Sequence, residues 1–483
     1  MTTAATDRFD SATDTRLETD SLGEYPLPAD ALYGIHAARA NDNFPLTGHP
    51  LSRYPDLIRA LAQVKLAAAE ANQGLGLMSE HKLTAIQSAV QALMAGDHHD
   101  AFIVDAIQGG AGTSTNMNAN EVIANLGLRR LGHAPGAYPH LHPINDVNQS
   151  QSTNDTYPTA VKLAVLTQSE PLLDAMHKLH STLIQKSDTF DHILKIGRTQ
   201  LQEAVPMTLG QEFRAFATAI KEEMESVLGS QHGLLKVHLG GTAVGTGINC
   251  PAEFGALAVR ALNDRTGLDF QLVDDRIFAT SDTSALVTVS NALKRLAIVL
   301  SKISNDLRLL SSGPRAGFAE IRLPARQAGS SIMPGKVNPV IPEAVSQVAY
   351  HVVGNDTAVT MAAESAQLQL NAMLPLVTYK VMDSLAVLTS ALNMLTELCI
   401  DGIEANETRC RDHLEASAGL VTALCPVIGY DRAARIVKRQ QRTREPLLDV
   451  VRAESGLSAE ALGDLLDPAL LVQAQPIRPP APG

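Results

Sequence analysis

Four polar, glycine-rich segments hold the side chains of this sequence best suited to chemistry. Gln108–Asn116 packs three glycines and three consecutive hydroxyls (Thr113, Ser114, Thr115) into nine residues, and Asn148–Asp155 is a run of hydroxyls and amides closed by one aspartate. Gly197–Glu203 reads Gly-Arg-Thr-Gln-Leu-Gln-Glu, and Ala328–Pro339 combines Ser330 and Ser331 with two glycines, two prolines and Lys336. Each lies next to a helical pattern. Hydroxyls and amides at helix beginnings offer several donors to one small anion, and the helix N-terminus adds partial positive charge. No GxxxxGK[ST] pattern is present, so the set suits a carboxylate better than a phosphate chain. Taken singly, each segment reads as a cap or a turn. Four of them in one chain point to a site.

Two histidine clusters, His98-His99-Asp100 and His140-Leu-His142, invite a metal reading, but neither has HExxH or CxxC company. They read as decoration of solvated loops. Nothing in the residues calls for a metal or an organic cofactor. Cys250, Cys399, Cys410 and Cys425 show no paired spacing and read as reduced thiols.

The elements that must position these segments are helical. Aromatics are 4% of the chain and Trp is absent, which leaves Leu, Val, Ile, Ala and Met to build the core. From Leu286 the apolar positions run Val289, Leu293, Leu296, Leu300, Ile303, Leu307, Leu310, in steps of three and four without a slip. Val381–Cys399, Leu209–Val227, Val345–Val359 and Val161–Ile184 keep the helical period too, the last with Pro171 inside it. The spacing predicts an all-α chain with a central five-helix bundle, and more apolar stripes than a lone globule buries, so oligomers are expected. Five regions follow along the chain. Residues 1–18 form a disordered tail, 19–150 an N-terminal domain of mixed, shorter helices and 151–404 the long-helix bundle. Residues 405–474 form a small helical domain, and 475–483 a disordered, proline-rich tail.

Composition narrows the function. The 483 residues carry 39 basic and 51 acidic side chains, a formal charge of −12. That balance argues against a nucleic-acid binder, which needs clustered Lys and Arg, and against attachment to anionic lipid. No apolar run is expected to approach the roughly 20 residues of a bilayer span, and Met1–Asp20 lacks the apolar core of a secretory signal. A cytoplasmic protein is expected.

The segment Gly329-Ser-Ser-Ile-Met-Pro-Gly-Lys-Val-Asn-Pro339 resembles the signature of the aspartase/fumarase superfamily, whose members eliminate across a Cα–Cβ bond to release fumarate. Gly110–Glu121, Ser152–Asp155, Gly197–Glu212 and Leu239-Gly-Gly-Thr-Ala-Val-Gly-Thr-Gly247 match in the same order. The resemblance runs from about Gly23 to the 460s. It is nearer to the aspartate ammonia-lyase branch than to class II fumarases, and it implies a homotetramer whose central helices form one superbundle. Each site there draws on three subunits.

By that resemblance the ligand is a small dicarboxylate. Thr113, Ser152, Thr153 and Ser331 line its β-carboxylate, while Asn154, Thr199 and Gln200 lie nearer the amino group. Lys336 and Asn338 hold the α-carboxylate, and Ser330 is the base. Gln200 separates the branches, because fumarases resembling this chain carry His after the Arg-Thr, where it helps a hydroxyl leave. Aspartases occur with either residue. Asn338-Pro-Val-Ile-Pro-Glu343 and Leu368-Gln-Leu-Asn371 also look like aspartase. A fumarase, or a structural member that keeps the fold without the chemistry, are the other readings; Ser330 and Lys336, whose loss would mark the second, are both present. Tyr25 departs from the pattern where relatives usually have a basic residue or Met, which leaves Arg39 as the N-terminal arginine for a substrate or regulatory contact.

Overall fold

The computed structural model describes residues 14–473. It opens with a hairpin, β1 (Thr15–Asp20) and β2 (Gly23–Pro28), paired antiparallel along its whole length. The disorder expected for residues 1–18 therefore fails from Thr15 onward. The cause is a set of distant partners: the Arg16 guanidinium donates to the carbonyls of Pro28, Ala29, Ala31 and Tyr33, and buried Glu18 accepts from the Ile35 N–H and the Tyr138 hydroxyl. Residues 1–13 and the expected tail 475–483 lie outside the described residues.

Helices follow: α1 (Ile35–Asn43), α2 (Pro55–Gly74), α3 (Glu80–Ala95), α4 (Thr113–Arg130) and α5 (Thr153–Thr189). A second hairpin, β3 (Leu194–Thr199) and β4 (Gln202–Thr208), leads into α6 (Leu209–Ser230), α7 (Phe254–Thr266), α8 (Arg276–Ser281) and α9 (Ser284–Leu310). Then come α10 (Val340–Glu364), α11 (Leu374–Leu398) and α12 (Glu407–Ala416), with shorter helices to Leu471. The chain is mainly helical, as its composition predicts. The five long helices are α5, α6, α9, α10 and α11, where the apolar periods place them. On α9 all eight seam residues from Leu286 to Leu310 are buried, and so are the seams of α6 and α11. On α10 Val345, Val352 and Val359 are buried while Val348 is half-buried. Helix α5 runs through Pro158 and Pro171 without interruption.

The chain divides into two compact units, each drawn from three stretches. The first comprises the residues up to Leu172, Ser226–Lys294 and His351–Val387. Within it α2 packs on α3, α4 and α7. Polar contacts tie long helices side by side: Tyr157 to Thr378 and Gln168 to the Met382 carbonyl join α5 to α11. Asn355 to Asp383 and Ser384 joins α10 to α11, and Ser290 and Lys294 to Asp356 join α9 to α10. The second unit comprises Leu173–Glu225, Arg295–Tyr350 and Leu388 onward. There Lys178 pairs with Glu397 between α5 and α11, and Arg295 with Glu223 between α9 and α6. Its C-terminal core gathers Leu414, Leu424, Ile436 and Val450 around Ile196 of β3.

Against the expectation that no apolar run approaches a bilayer span, Ser284–Leu310 and Leu374–Gly402 are long and apolar enough to cross one on length and average hydropathy. Their leucines form the buried seams, and Lys294 and Arg295 on the first are ion-paired to neighbouring helices. Such patterning is that of core helices.

Candidate active site

In the first unit the N-termini of α4 and α5 meet. Thr113 is the first residue of α4 and Thr153 the first of α5. The Asn116 amide, in the first turn of α4, donates to Thr153 Oγ1 at 3.0 Å. The approach depends on Gly112, the N-cap of α4: its φ is +93°, and a Cβ there would sit 2.3 Å from the ring of buried Tyr157. Two helix N-termini with hydroxyls at their first positions are an arrangement suited to a small anion.

The turn before α5 is fixed from behind. Asp155, fully buried, accepts from the Ser152 N–H (3.0 Å), the Thr156 hydroxyl (3.0 Å), and the Gly240 and Thr242 N–H groups (3.1 and 2.9 Å). It thereby staples the turn to the glycine loop 239–247. His238 Nε2 donates to the Asn154 carbonyl at 2.8 Å. Burial holds this imidazole down to about 4, so it is neutral near pH 7. The Asn154 side chain donates to the Ala243 carbonyl and lines a pocket with Ala111, Lys162, Asp282 and Asn371. Burial lowers Lys162 to about 8 against the pull of Asp282, and its Nζ bonds the Lys236 carbonyl.

Behind this turn lies a second buried lysine, Lys65 of α2, which is fully enclosed. Its Nζ donates to Asn148 Oδ1 (2.8 Å) and Gln151 Oε1 (2.9 Å). Burial lowers it to about 7, with Asp155 pulling the other way.

In the second unit Thr199 and Gln200 stand exposed at the tip of the β3–β4 hairpin, where Thr199 pairs with Gln202. The two loop residues, Gln200 and Leu201, have φ of +56° and +62°. Two-residue hairpin turns of this kind favour Asn-Gly, and neither residue here is one of them. The strand is held by a buried charge network. Glu320, wholly enclosed, pairs with Arg198 (2.7 Å), Lys195 (3.0 Å) and His413 (2.8 Å), and Lys195 also reaches Glu212 (2.6 Å). Burial pushes the Glu320 carboxyl upward, but Arg198, Lys195 and His413 outweigh it and hold it below the usual carboxylate range. Arg198 thus anchors the hairpin rather than reaching out from it.

The serine segment is a loop pinched at its neck. The Gly329 N–H donates to the Lys336 carbonyl (2.7 Å), and the Asn338 amide to the Gly329 carbonyl (2.8 Å). A Cβ on Gly329 would lie within 3 Å of both partners, so only glycine fits. Beyond the neck Ser331 to Val337 are exposed, Lys336 among them. Ser330 is half-buried, and its Oγ accepts two backbone N–H bonds, from Ile332 (3.2 Å) and Met333 (2.9 Å). These amide dipoles converge on the one atom that would carry charge on deprotonation.

The first unit therefore brings together Thr113, Ser152, Thr153 and Asn154; the second carries Thr199 and Gln200 on a hairpin and Ser330, Ser331, Lys336 and Asn338 on a loop. Asn371, Lys162, Asp155 and Lys65 were not singled out from sequence as site residues. A lone lysine inside an apolar helical run, as at Lys65 and Lys162, is the signal that could have found two of them. The histidine clusters have structural work: His99 bonds the Leu93 carbonyl, His140 stacks on His133, and His142 Nδ1 caps the turn at Ile144 and Asn145. Among the described residues no group of three His, Cys, Asp or Glu is placed to hold a metal. Arg39 is engaged by Asp20 and stacks over Tyr25, whose hydroxyl donates to Asp42.

Comparison with known proteins places the chain in a family. A lyase family model matches residues 23–354, and a fumarase C C-terminus model matches 420–473. The aspartate ammonia-lyase of Pseudomonas aeruginosa is 54% identical over 95% of this chain and 97% of its own; that of Escherichia coli K12 is 50% identical over 92% and 93%. Among solved structures, a fumarate lyase:delta crystallin from Brucella melitensis bound to cobalt superposes with a TM-score of 0.92 at 51% identity, covering 94% of this chain and 99% of that one. A class II fumarase from Schistosoma mansoni superposes at 0.90 with 31% identity, covering 94% and 98%. With about half of its positions shared over more than nine-tenths of its length, the chain belongs to the aspartase/fumarase family of lyases.

Proposed function

We infer that this chain is an aspartate ammonia-lyase, which eliminates ammonia from L-aspartate to give fumarate and runs in reverse. The reaction is hard because the Cβ proton sits beside a carboxylate and is very weakly acidic. Its removal creates a doubly charged enediolate, which forms readily only among preorganised donors. The meeting of the α4 and α5 N-termini, with Thr113, Ser152 and Thr153 at those termini, supports such a β-carboxylate site, and Ser331 is assigned to the same carboxylate. Asn154, Thr199 and Gln200 take the amino end, and Lys336 and Asn338 take the α-carboxylate.

Ser330 is the base in this reading, and the single observation that carries it is the pair of N–H bonds to its Oγ. A serine hydroxyl is far too weak an acid unless its alkoxide is stabilised where it forms, and two amide dipoles with Lys336 on the same loop are suited to do that. The loop closes over substrate and excludes water. Ammonium needs no strong acid to depart, so Gln200 serves where a fumarase would need His. No metal or organic cofactor enters this mechanism.

Homotetrameric assembly with shared sites belongs to the same proposal. Exposed Ile298 on α9 and Val353 and Met361 on α10 supply apolar surface for partner subunits. The division into 19–150, 151–404 and 405–474 is supported by the five long helices all falling within the middle stretch, and four free thiols fit a cytoplasmic enzyme.

An ultraviolet assay for fumarate, run separately on aspartate and malate, tests the reading: turnover of aspartate is expected, and turnover of malate alone makes the protein a fumarase. Ser330→Ala is expected to lower kcat roughly a thousandfold, within the range for a general base, while the protein stays folded. Normal turnover by that variant ends the base assignment.

A further inference from the structure

Lys65 lies within the first unit, wholly enclosed, with no carboxylate in hydrogen-bond contact among the described residues. A buried lysine of that kind is costly, and the elimination as described above does not use it. Its two acceptors are side-chain amides from the segment that leads into α5. As an ammonium the lysine nitrogen has only donors to offer, and both amides turn their oxygens inward to it.

The consequence travels outward. Asn148 Oδ1 receives Lys65 and also the amides of Asn116 and Asn120, each at 3.1 Å. Asn116 is thereby fixed as a donor on this side, and the same Nδ2 gives its other proton to Thr153 Oγ1 at 3.0 Å. Gln151, held by its Oε1 on Lys65, points its own amide back to the carbonyls of Val147 and Gln149 and locks the turn. With an N–H already on its oxygen, the Thr153 hydroxyl must give its proton elsewhere, and no acceptor for it exists among the described residues.

We propose that Lys65 is a positioning residue for the elimination: it sets the direction of a hydrogen-bond chain, Lys65 to Asn148, Asn116 and Thr153, that leaves the Thr153 proton for a substrate carboxylate. The inference rests on the reading of Thr153 as a donor to the β-carboxylate. A donor aimed in advance matters most when that carboxylate becomes an enediolate, because the hydrogen bond strengthens as charge builds. Loss of Lys65 frees the amides to flip and Thr153 to turn its proton inward.

The test compares the full-length protein with Lys65→Met, which keeps the length of the side chain, and Asn116→Ala, which cuts the last link and leaves Lys65 in place. Two ligands separate positioning from general loosening: succinate, a ground-state dicarboxylate, and the nitronate form of 3-nitropropionate, which has the planar shape and charge of the enediolate. Both variants are expected to lose nitronate affinity and kcat roughly tenfold to a hundredfold, with succinate affinity and KM within about twofold of the parent. Equal weakening of both ligands, or no change in either, overturns the proposal. Should Lys65→Met not fold, the ratio in Asn116→Ala decides alone. Thr153→Val serves as the control on the underlying reading: normal turnover there removes Thr153 from the site, whereas crippled turnover beside an unmoved ligand ratio in the other two removes only the chain behind it.

Discussion

Ser330 and Lys336 share one exposed loop but meet different surroundings. The serine is tucked against the turn, under two backbone N–H groups, while the lysine stands in solvent. A base whose charged form is unstable needs such fixed donors, whereas a permanent cation needs only freedom to reach a carboxylate. Lys336→Ala is therefore expected to raise the KM for aspartate about tenfold to a hundredfold, matching ~1.5–3 kcal/mol for a hydrogen bond to a charged group. Steady-state kinetics with an unchanged KM would take Lys336 out of the site. Gln200 is held in the left-handed region, a conformation that costs on the order of 1–3 kcal/mol for a side-chain-bearing residue. The family resemblance marked that residue as informative, but its strain comes from the two-residue closure of the hairpin and is visible only in the fold.

At the scale of elements, the hairpin that carries Thr199 and Gln200 is secured by Glu320 and its three partners. A carboxyl held below its ordinary value contributes stability above that value and loses it on acidification. Glu320, with its pKa lowered mainly by Arg198 against the effect of burial, contributes fully at neutral pH and progressively less as the pH falls below the ordinary carboxylate range. Glu320→Gln is expected to cost about 3 kcal/mol, typical of breaking a buried ion network, and to flatten the acid limb of the stability profile. Chemical denaturation at pH 7 and pH 4 measures both; an equal loss at the two values would show that the charge is not responsible. Helix positions were legible in advance because a period of 3.6 residues survives whatever surrounds it. The hairpin β1–β2 was not, since Arg16 finds its carbonyls through a turn of chain that no local pattern encodes.

At the scale of the whole molecule, the proposed donors are split between two units and, in the assembly we propose, between subunits. A site that takes Ser330 from one chain and Thr153 from another can be rebuilt from two dead variants. Ser330→Ala and Thr153→Val, each inactive alone, are expected to regain roughly a quarter of parental activity when unfolded and refolded together in equal amounts. Random mixing around a symmetric oligomer leaves about that fraction of sites with both residues intact. Activity no greater than the sum of the two alone would mean that each chain builds its own site.

Glycine spacing, hydroxyl-rich segments and uninterrupted heptads were enough to specify the helical class, the five long helices and the loops that bear the proposed donors. These are properties of neighbours in the chain, and local sterics and periodicity impose them directly. Which buried groups stand behind those loops was decided elsewhere. Lys65 comes from α2, Asp155 reaches across to the loop 239–247, and Glu320 meets Lys195 of β3 and His413 of α12. Each of those partnerships joins residues tens to more than a hundred positions apart. A charge buried at such a range is set by where the chain returns, and only the tertiary structure determines that.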